Sequence, residues 1–356
     1  MFIFLGRQCR ELRLFAYFCR MKHRYASLLA LDVAVIALIL IFFVVKASAS
    51  PAQRASETIY PRALEPGDRI AILAPAGPID SLIVDSAAAV LAKAGYEPVV
   101  YPHTYGKFGH FSGTHPERLA DLRAAFTDPS VRAILCARGG YGVVHNLDSL
   151  AMLPISDDPK WVIGFSDISA LHALMASNNI ASIHASMAKQ VMMGVDDELN
   201  SYLFDILRGQ FPTYRFAPSE YNHLGHAEGR LLGGNLAVIA DLIATPFDII
   251  KPGTILFIED VSEPIYKIER ILYQLRLMGI LPQLKGLIIG QFTDYKPDKV
   301  HESMEQMIAE ALAPYPELPV AFGAPIGHVD YNLPVVESAY ATLDITPEGV
   351  TLAIEP

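Results

Sequence analysis

Cysteine is scarce in this chain, with three in 356 residues, and Cys9 and Cys19 both precede Met21. Cys136 alone remains in the body of the chain, which excludes an internal disulfide framework and a cysteine-built metal site there. Positive charge is also short: 28 Lys and Arg stand against 38 Asp and Glu, a net −10 with a pI near 5.5. No cluster of basic residues interleaved with aromatics stands out, so no nucleic-acid partner is expected and small-molecule or peptide chemistry is favoured. No G-x-G-x-x-G opens the first helix, which removes the dinucleotide fingerprint, and the chain is expected to use neither cofactor nor metal. Internal repeats and low-complexity tracts are missing as well.

What is present is a chain 52% hydrophobic and 19% charged, long enough to bury a sizeable core and to divide into two domains. Its N-terminal region reads as a targeting segment. From Met21 a basic start at Lys22 and Arg24 leads into an apolar run, Val33 to Val45, closed by Ala47, Ser48 and Ala49. This is the pattern of a secretory signal cleaved after Ala49. The competing reading is an uncleaved membrane anchor over Ala26 to Val45 that tolerates Asp32. Either way the body of the protein is expected outside the cytoplasm, in the periplasm or otherwise exported. Residues 1–20 precede an alternative start at Met21 and carry no structural weight.

Short apolar strands then alternate with helices. "RIAIL", "EPVV", "VRAILC" and "WVIG" read as strands, with helices from about Ser81 to Ala94 and over "HPERLADLRAAFTD" and "ISALHALMASNN". That alternation predicts an α/β fold: a Rossmann-like parallel-sheet domain over 60–208, a linker over 209–229 rich in Pro, Gly, Tyr and His, and a smaller mixed α/β domain over 230–356. "GRLLGGNLAVIADLIATP" reads as a turn into an apolar helix, and the closing "ESAYATLDITPEGVTLAIEP" as a hairpin. Ligands of open parallel sheets bind beyond the carboxyl ends of the strands. Three such ends carry unusual chemistry: "APAGP" at 74–78, "RGGYG" at 138–142 and "GFSD" at 164–167.

In "GFSD", Ser166 lies between a strand and a helix, the setting of a nucleophile elbow, although Ile168 stands where G-x-S-x-G has its second glycine. Taken locally, Ser166 reads first as a helix cap, with Asp167 favouring the positive helix end. A nucleophilic serine needs a base, and the base an acid to orient it. Of eleven histidines, His328 in the Gly/Pro loop "GAPIGH" is best placed to face a cleft. His184, after "NIASI", is a weaker candidate, and His172 points to packing. Glu259 and Asp260 end the strand "GTILFIED", either solvated at its mouth or aimed at a site. Gly139 and Gly140 allow backbone to approach a ligand closely, in an oxyanion hole or in a plain tight turn.

With these segments in view, the sequence resembles the LD-carboxypeptidase family, the S66 serine peptidases that include muramoyltetrapeptide carboxypeptidases and microcin self-immunity proteins. The likeness runs through "APAGP", "GTHPERLADLRAAF", "RGGYG", "GFSDISALH", "LLGGNLAVIADLIATP", "FIEDVSEPIYKIERIL", "LIIGQF" and "GH". It implies a triad of Ser166, Glu259 and His328, with the backbone amides of Gly140 and Asp167 as the oxyanion hole. The implied reaction removes the terminal D-alanine from murein tetrapeptides through an acyl-enzyme, and the implied assembly is a homodimer. A carboxypeptidase must hold a free carboxylate; Arg138 is a candidate for that or for a structural ion pair, and Tyr141 a candidate substrate contact. Two alternatives stand beside this reading: hydrolysis of other amide conjugates, as in the self-immunity branch, and muropeptide binding without catalysis. Intact Ser166, Glu259 and His328 weigh against the second.

Overall fold

Residues 58–356 are described by a computed structural model. The signal and anchor readings fall on residues 21–49 and lie outside the described residues. Five strands of the first half, β1 (Arg69–Leu73), β2 (Glu97–Val100), β3 (Val131–Cys136), β4 (Trp161–Gly164) and β5 (Ser182–His184), are joined through α1 (Ser81–Lys93), α2 (His115–Thr127), α3 (Leu147–Leu150) and α4 (Ser169–Ser177). Most of β1, β3, β4 and β5 is buried, as expected for strands covered on both faces. Local signals set the helix bounds. Asp80 caps α1 by accepting the Leu82 N–H at 2.8 Å, and Thr114 with Glu117 forms a capping box ahead of α2.

The strands of this first sheet lie in the order β11-β5-β4-β3-β1-β2, parallel except for β11 (Val335–Glu337), which comes from near the end of the chain and runs antiparallel to β5. The second sheet takes β6 (Thr213–Phe216), β7 (Gly225–Asn235), β8 (Thr254–Val261), β9 (Gly286–Thr293), β10 (Val320–Phe322), β12 (Tyr340–Thr346) and β13 (Gly349–Glu355), in the order β10-β9-β8-β7-β12-β13-β6. Its first four strands pair in parallel, whereas β12, β13 and β6 continue from β7 in antiparallel fashion. The remaining helices are α5 (Ala188–Val191), α6 (Glu198–Leu207), α7 (Leu236–Asp241), α8 (Ile265–Leu277) and α9 (Met304–Leu312). An α/β fold with a parallel sheet and a second mixed sheet is therefore what forms, and the closing hairpin is β12–β13.

Two stretches differ from the sequence reading. Within 209–229, expected as a linker, β6 forms and β7 begins; the Pro, Gly and His content hides an edge strand of which only Tyr214 is buried. "GRLLGGN", expected as a turn, is the end of β7 and pairs with β8 in mid-sheet. Gly233 is there because a Cβ would collide with the carbonyl oxygen of Phe257. The described residues form one compact unit, Thr58–Pro356, and both hydrophobic clusters draw on both sheets. One joins Leu73, Ile134 and Ile168 to Leu256, Ile289 and Phe322. The other joins Ile70, Trp161 and Ile183 to Phe257, Val335 and Ile354. No helix among the described residues is long and apolar enough to cross a membrane.

Candidate active site

The site is assembled from the carboxyl ends of parallel strands in both sheets. At the end of β4, Ser166 has φ +67°, a left-handed conformation that costs a non-glycine residue roughly 1–2 kcal/mol. A 3₁₀ turn over Ser166–Ile168 then runs into α4. Strained backbone of this kind persists where its surroundings over-determine it, and it is frequent at functional sites. The plain helix-cap reading requires Ser166 at a cap position, and the caps of the turn and of α4 fall on Phe165 and Ile168 instead.

The glycine loop after β3 lies directly against this serine. A Cβ on Gly139 would stand 2.8 Å from Ser166 Cβ and 3.0 Å from its Oγ, so only glycine lets the loop come this close. The "APAGP" loop braces it from behind, the Gly77 N–H donating to the Gly139 carbonyl at 2.9 Å. Asp167 ties the loop from the other side: its buried carboxylate accepts the Val143 N–H at 2.9 Å. Burial pushes that carboxyl upward, opposed by the Val143 N–H and by nearby Arg118.

Arg118 is a residue that sequence reasoning missed. It is buried on α2, donates to the carbonyls of Pro75 at 2.7 Å and Gly142 at 2.9 Å, and lies over the Phe111 ring. It thereby joins the "APAGP" loop to the "RGGYG" loop. The available signal was its helical spacing from Leu122 and Ala125, which puts Arg118 on their buried face.

Glu259 comes from the second sheet. The β8–β9 register slips between Ile258 and Asp260, where the pairing steps from Ile289 to Phe292, and such bulges re-aim side chains. Both acids of "FIED" are buried inside β8, neither being solvated at its mouth. Asp260 accepts from Asn235 Nδ2 and from the Ala237 and Val261 N–H groups, so it caps the start of α7. Burial pushes its carboxyl up to about 6 against those bonds. Glu259 is fully buried and its Oε2 accepts from His328 Nδ1 at 2.7 Å. Burial raises its carboxyl, and the two imidazoles of His184 and His328 outweigh that and hold it below the usual range.

His328 keeps 20% of its side chain exposed, and its ring stands edge-on to Phe165 with centroids 4.9 Å apart. Phe165 immediately precedes Ser166, so the Glu259–His328 pair of the second sheet meets the serine turn of the first. In this conformation no hydrogen bond joins Ser166 to His328, as is common before a substrate binds.

The other histidines divide cleanly. His172 Nε2 lies 2.8 Å from the Gly164 carbonyl and its Nδ1 lies 2.9 Å from Ser182 Oγ. A carbonyl only accepts, so Nε2 carries the proton, Nδ1 accepts from the serine, and burial pushes the group down to about 3. It is a neutral brace between β4 and β5. His184 is buried beside Glu259, with Nε2 3.8 Å from Oε1. Arg138 is exposed at the mouth of the glycine loop and donates to the Pro78 carbonyl at 2.6 Å. Tyr141 is 57% exposed and packs its ring on Phe111 and His145. Among the described residues no group of three or more His, Cys, Asp or Glu is placed to hold a metal ion.

Comparison with known proteins agrees with this architecture. The LD-carboxypeptidase N-terminal domain matches residues 70–185 and the C-terminal domain residues 228–343. A Streptomyces coelicolor relative with a provisional carboxypeptidase name is 35% identical over 309 residues, covering 83% of this chain and 96% of its own. The murein tetrapeptide carboxypeptidase of Pseudomonas aeruginosa is 31% identical over 274 residues, 74% of this chain and 89% of that protein. Among solved structures, a muramoyltetrapeptide carboxypeptidase from Oxalobacter formigenes superposes with a TM-score of 0.73 at 26% identity, over 81% of this chain and 99% of that one.

Proposed function

The chain belongs to the LD-carboxypeptidase family, and is thereby a serine carboxypeptidase; from that premise we propose that it removes the terminal D-alanine from murein tetrapeptides, with Ser166 as nucleophile, His328 as base and Glu259 as its orienting acid. One observation carries this reading: the buried Glu259 carboxylate grips His328 Nδ1 at 2.7 Å while the His328 ring rests on Phe165, next to the strained Ser166. With Nδ1 engaged by the carboxylate, Nε2 is left to take the serine proton.

Ser166 Oγ attacks the carbonyl carbon between the L-centre and D-alanine, and its proton passes to His328 Nε2. The backbone amides of Gly140 and Asp167 receive the oxyanion; the close approach of Gly139, which immediately precedes Gly140, to Ser166 supports that assignment. The C–N bond breaks as His328 returns the proton to the departing amine, and water, deprotonated by His328, opens the acyl-enzyme to give the tripeptide. Arg138 at the loop mouth offers its remaining N–H groups to the substrate carboxylate, and Tyr141 lines the approach.

The test is mass spectrometry of murein tetrapeptide incubated with the purified protein and with Ser166→Ala. The expected result is loss of one alanine with the wild type and none with the variant. Equal release by both would remove Ser166 from the mechanism. No release by folded wild type would remove the tetrapeptide as substrate and turn attention to other amide conjugates.

A further inference from the structure

Glu259 presents two oxygens, and the triad uses one. Oε2 is taken by His328, whereas Oε1 is buried with no hydrogen-bond partner. A fully buried carboxylate that must stay ionised needs more than one donor, because burial alone drives it toward the neutral acid. The group facing Oε1 is His184 at the end of β5: it is itself fully buried, both ring nitrogens lack a partner, and Nε2 stands 3.8 Å from Oε1. An orphaned donor beside an orphaned acceptor in a buried interior leaves each group the other's nearest remedy.

The surroundings leave His184 little else to do. The Phe257 ring from β8 meets it edge-on at 5.2 Å, and the Phe165 ring lies at 5.9 Å. From α4 the facing group is His172, 6.3 Å away between centroids, whose two nitrogens are already committed to Gly164 and Ser182. Beyond His172 lies Glu337 of β11, and beyond Glu259 lies His328; these complete the titratable groups along this line.

We propose that His184 is a positioning residue for the reaction: its Nε2–H holds Oε1 of Glu259, which keeps Oε2 of that carboxylate aimed at His328. The inference rests on the Ser166–Glu259–His328 reading. His184 does not touch substrate; it acts through Glu259. Removing the donor leaves the Glu259 charge less shared, so it grips the proton of His328 more tightly. The acidic limb of activity then moves upward.

The experiment follows labelling of Ser166 by a fluorophosphonate across pH, in the full chain, for wild type, His184→Phe and His184→Gln. In that reaction the serine oxygen bonds to phosphorus, fluoride leaves and His328 takes the proton, so no peptide substrate is involved. His184→Phe is expected to label roughly tenfold more slowly, the scale of one hydrogen bond to a charged group, with its acidic limb moved to higher pH. His184→Gln, which retains an N–H donor, recovers most of both, and KM for tetrapeptide stays as in the wild type. A wild-type limb and rate in His184→Phe, or equal impairment of both variants, overturns the proposal. The ¹⁵N shifts of His184 in the unsubstituted protein decide the matter should a variant not fold: a proton on Nε2 is required, and one on Nδ1 overturns it. Labelling of wild type without tetrapeptide cleavage removes the substrate reading and leaves this inference standing. Failure of wild-type Ser166 to label at any pH overturns both.

Discussion

Glu337 shows how a single buried acid stores a pH dependence. It is fully buried on β11, its Oε2 accepts one long bond from the Gly233 N–H at 3.4 Å, and its Oε1 has no partner. His172 Nδ1 is 3.9 Å away but accepts from Ser182 and has no proton to give. Burial therefore drives this carboxyl well above its usual range. The native state then keeps a proton that the unfolded chain releases above about pH 4.3, and stability falls as pH rises from there. Glu337→Gln is expected to raise Tm at pH 8 and to lose that advantage near pH 4, read by thermal melts at both; an equal gain at both would show that the carboxyl stays unperturbed. At this scale the sequence singled out Ser166, Glu259 and His328, because strand-end placement and motif are local properties, and the structure brings Glu259 to His328 and the His328 ring to Phe165 beside Ser166. It was silent about Glu337 and about the facing of His184 and Glu259, which come together across 75 positions of chain.

At the scale of elements, the glycine loop after β3 is a shaped part. Gly139 faces Ser166 at a separation no Cβ tolerates, and Val143 and Gly142 are tied to Asp167 and Arg118. Gly139→Ala must displace either the loop or Ser166, and a misplacement near 1 Å costs on the order of a hundredfold in rate. The expected outcome is a folded protein with kcat lowered about a hundredfold; unchanged kcat would show that the loop relaxes freely. Helices and buried parallel strands were legible because their periodicity and caps lie within a dozen residues, as in Asp80 before α1 and the Thr114–Glu117 box before α2. The strands β6 and β7 were not, since edge position and close packing against Phe257 select glycine and polar residues that read locally as turn. The bulge opposite Glu259 had no signal in the sequence, because register belongs to two strands at once.

For the whole molecule the decisive feature is sharing between sheets. The first sheet is completed by β11 from residues 335–337, and both hydrophobic clusters join residues of both sheets. Cooperative unfolding of the described residues follows. The single tryptophan, Trp161, is buried in β4 and reports the first sheet, while far-UV circular dichroism reports both. Their denaturation midpoints are expected to coincide, and a fluorescence transition well separated from the dichroism transition would show two independent folding units. The sequence by itself determined the alternation of strands and helices, the α/β class, the chemistry available at each strand end and the family, because periodicity, turn residues and motifs act over short spans of chain. Only the tertiary structure decided that Glu259 faces both His328 and His184, that Arg118 and Asp167 fasten the glycine loop, and that β11 returns to the first sheet. Those depend on the register and packing of segments far apart in the chain, which no local pattern encodes.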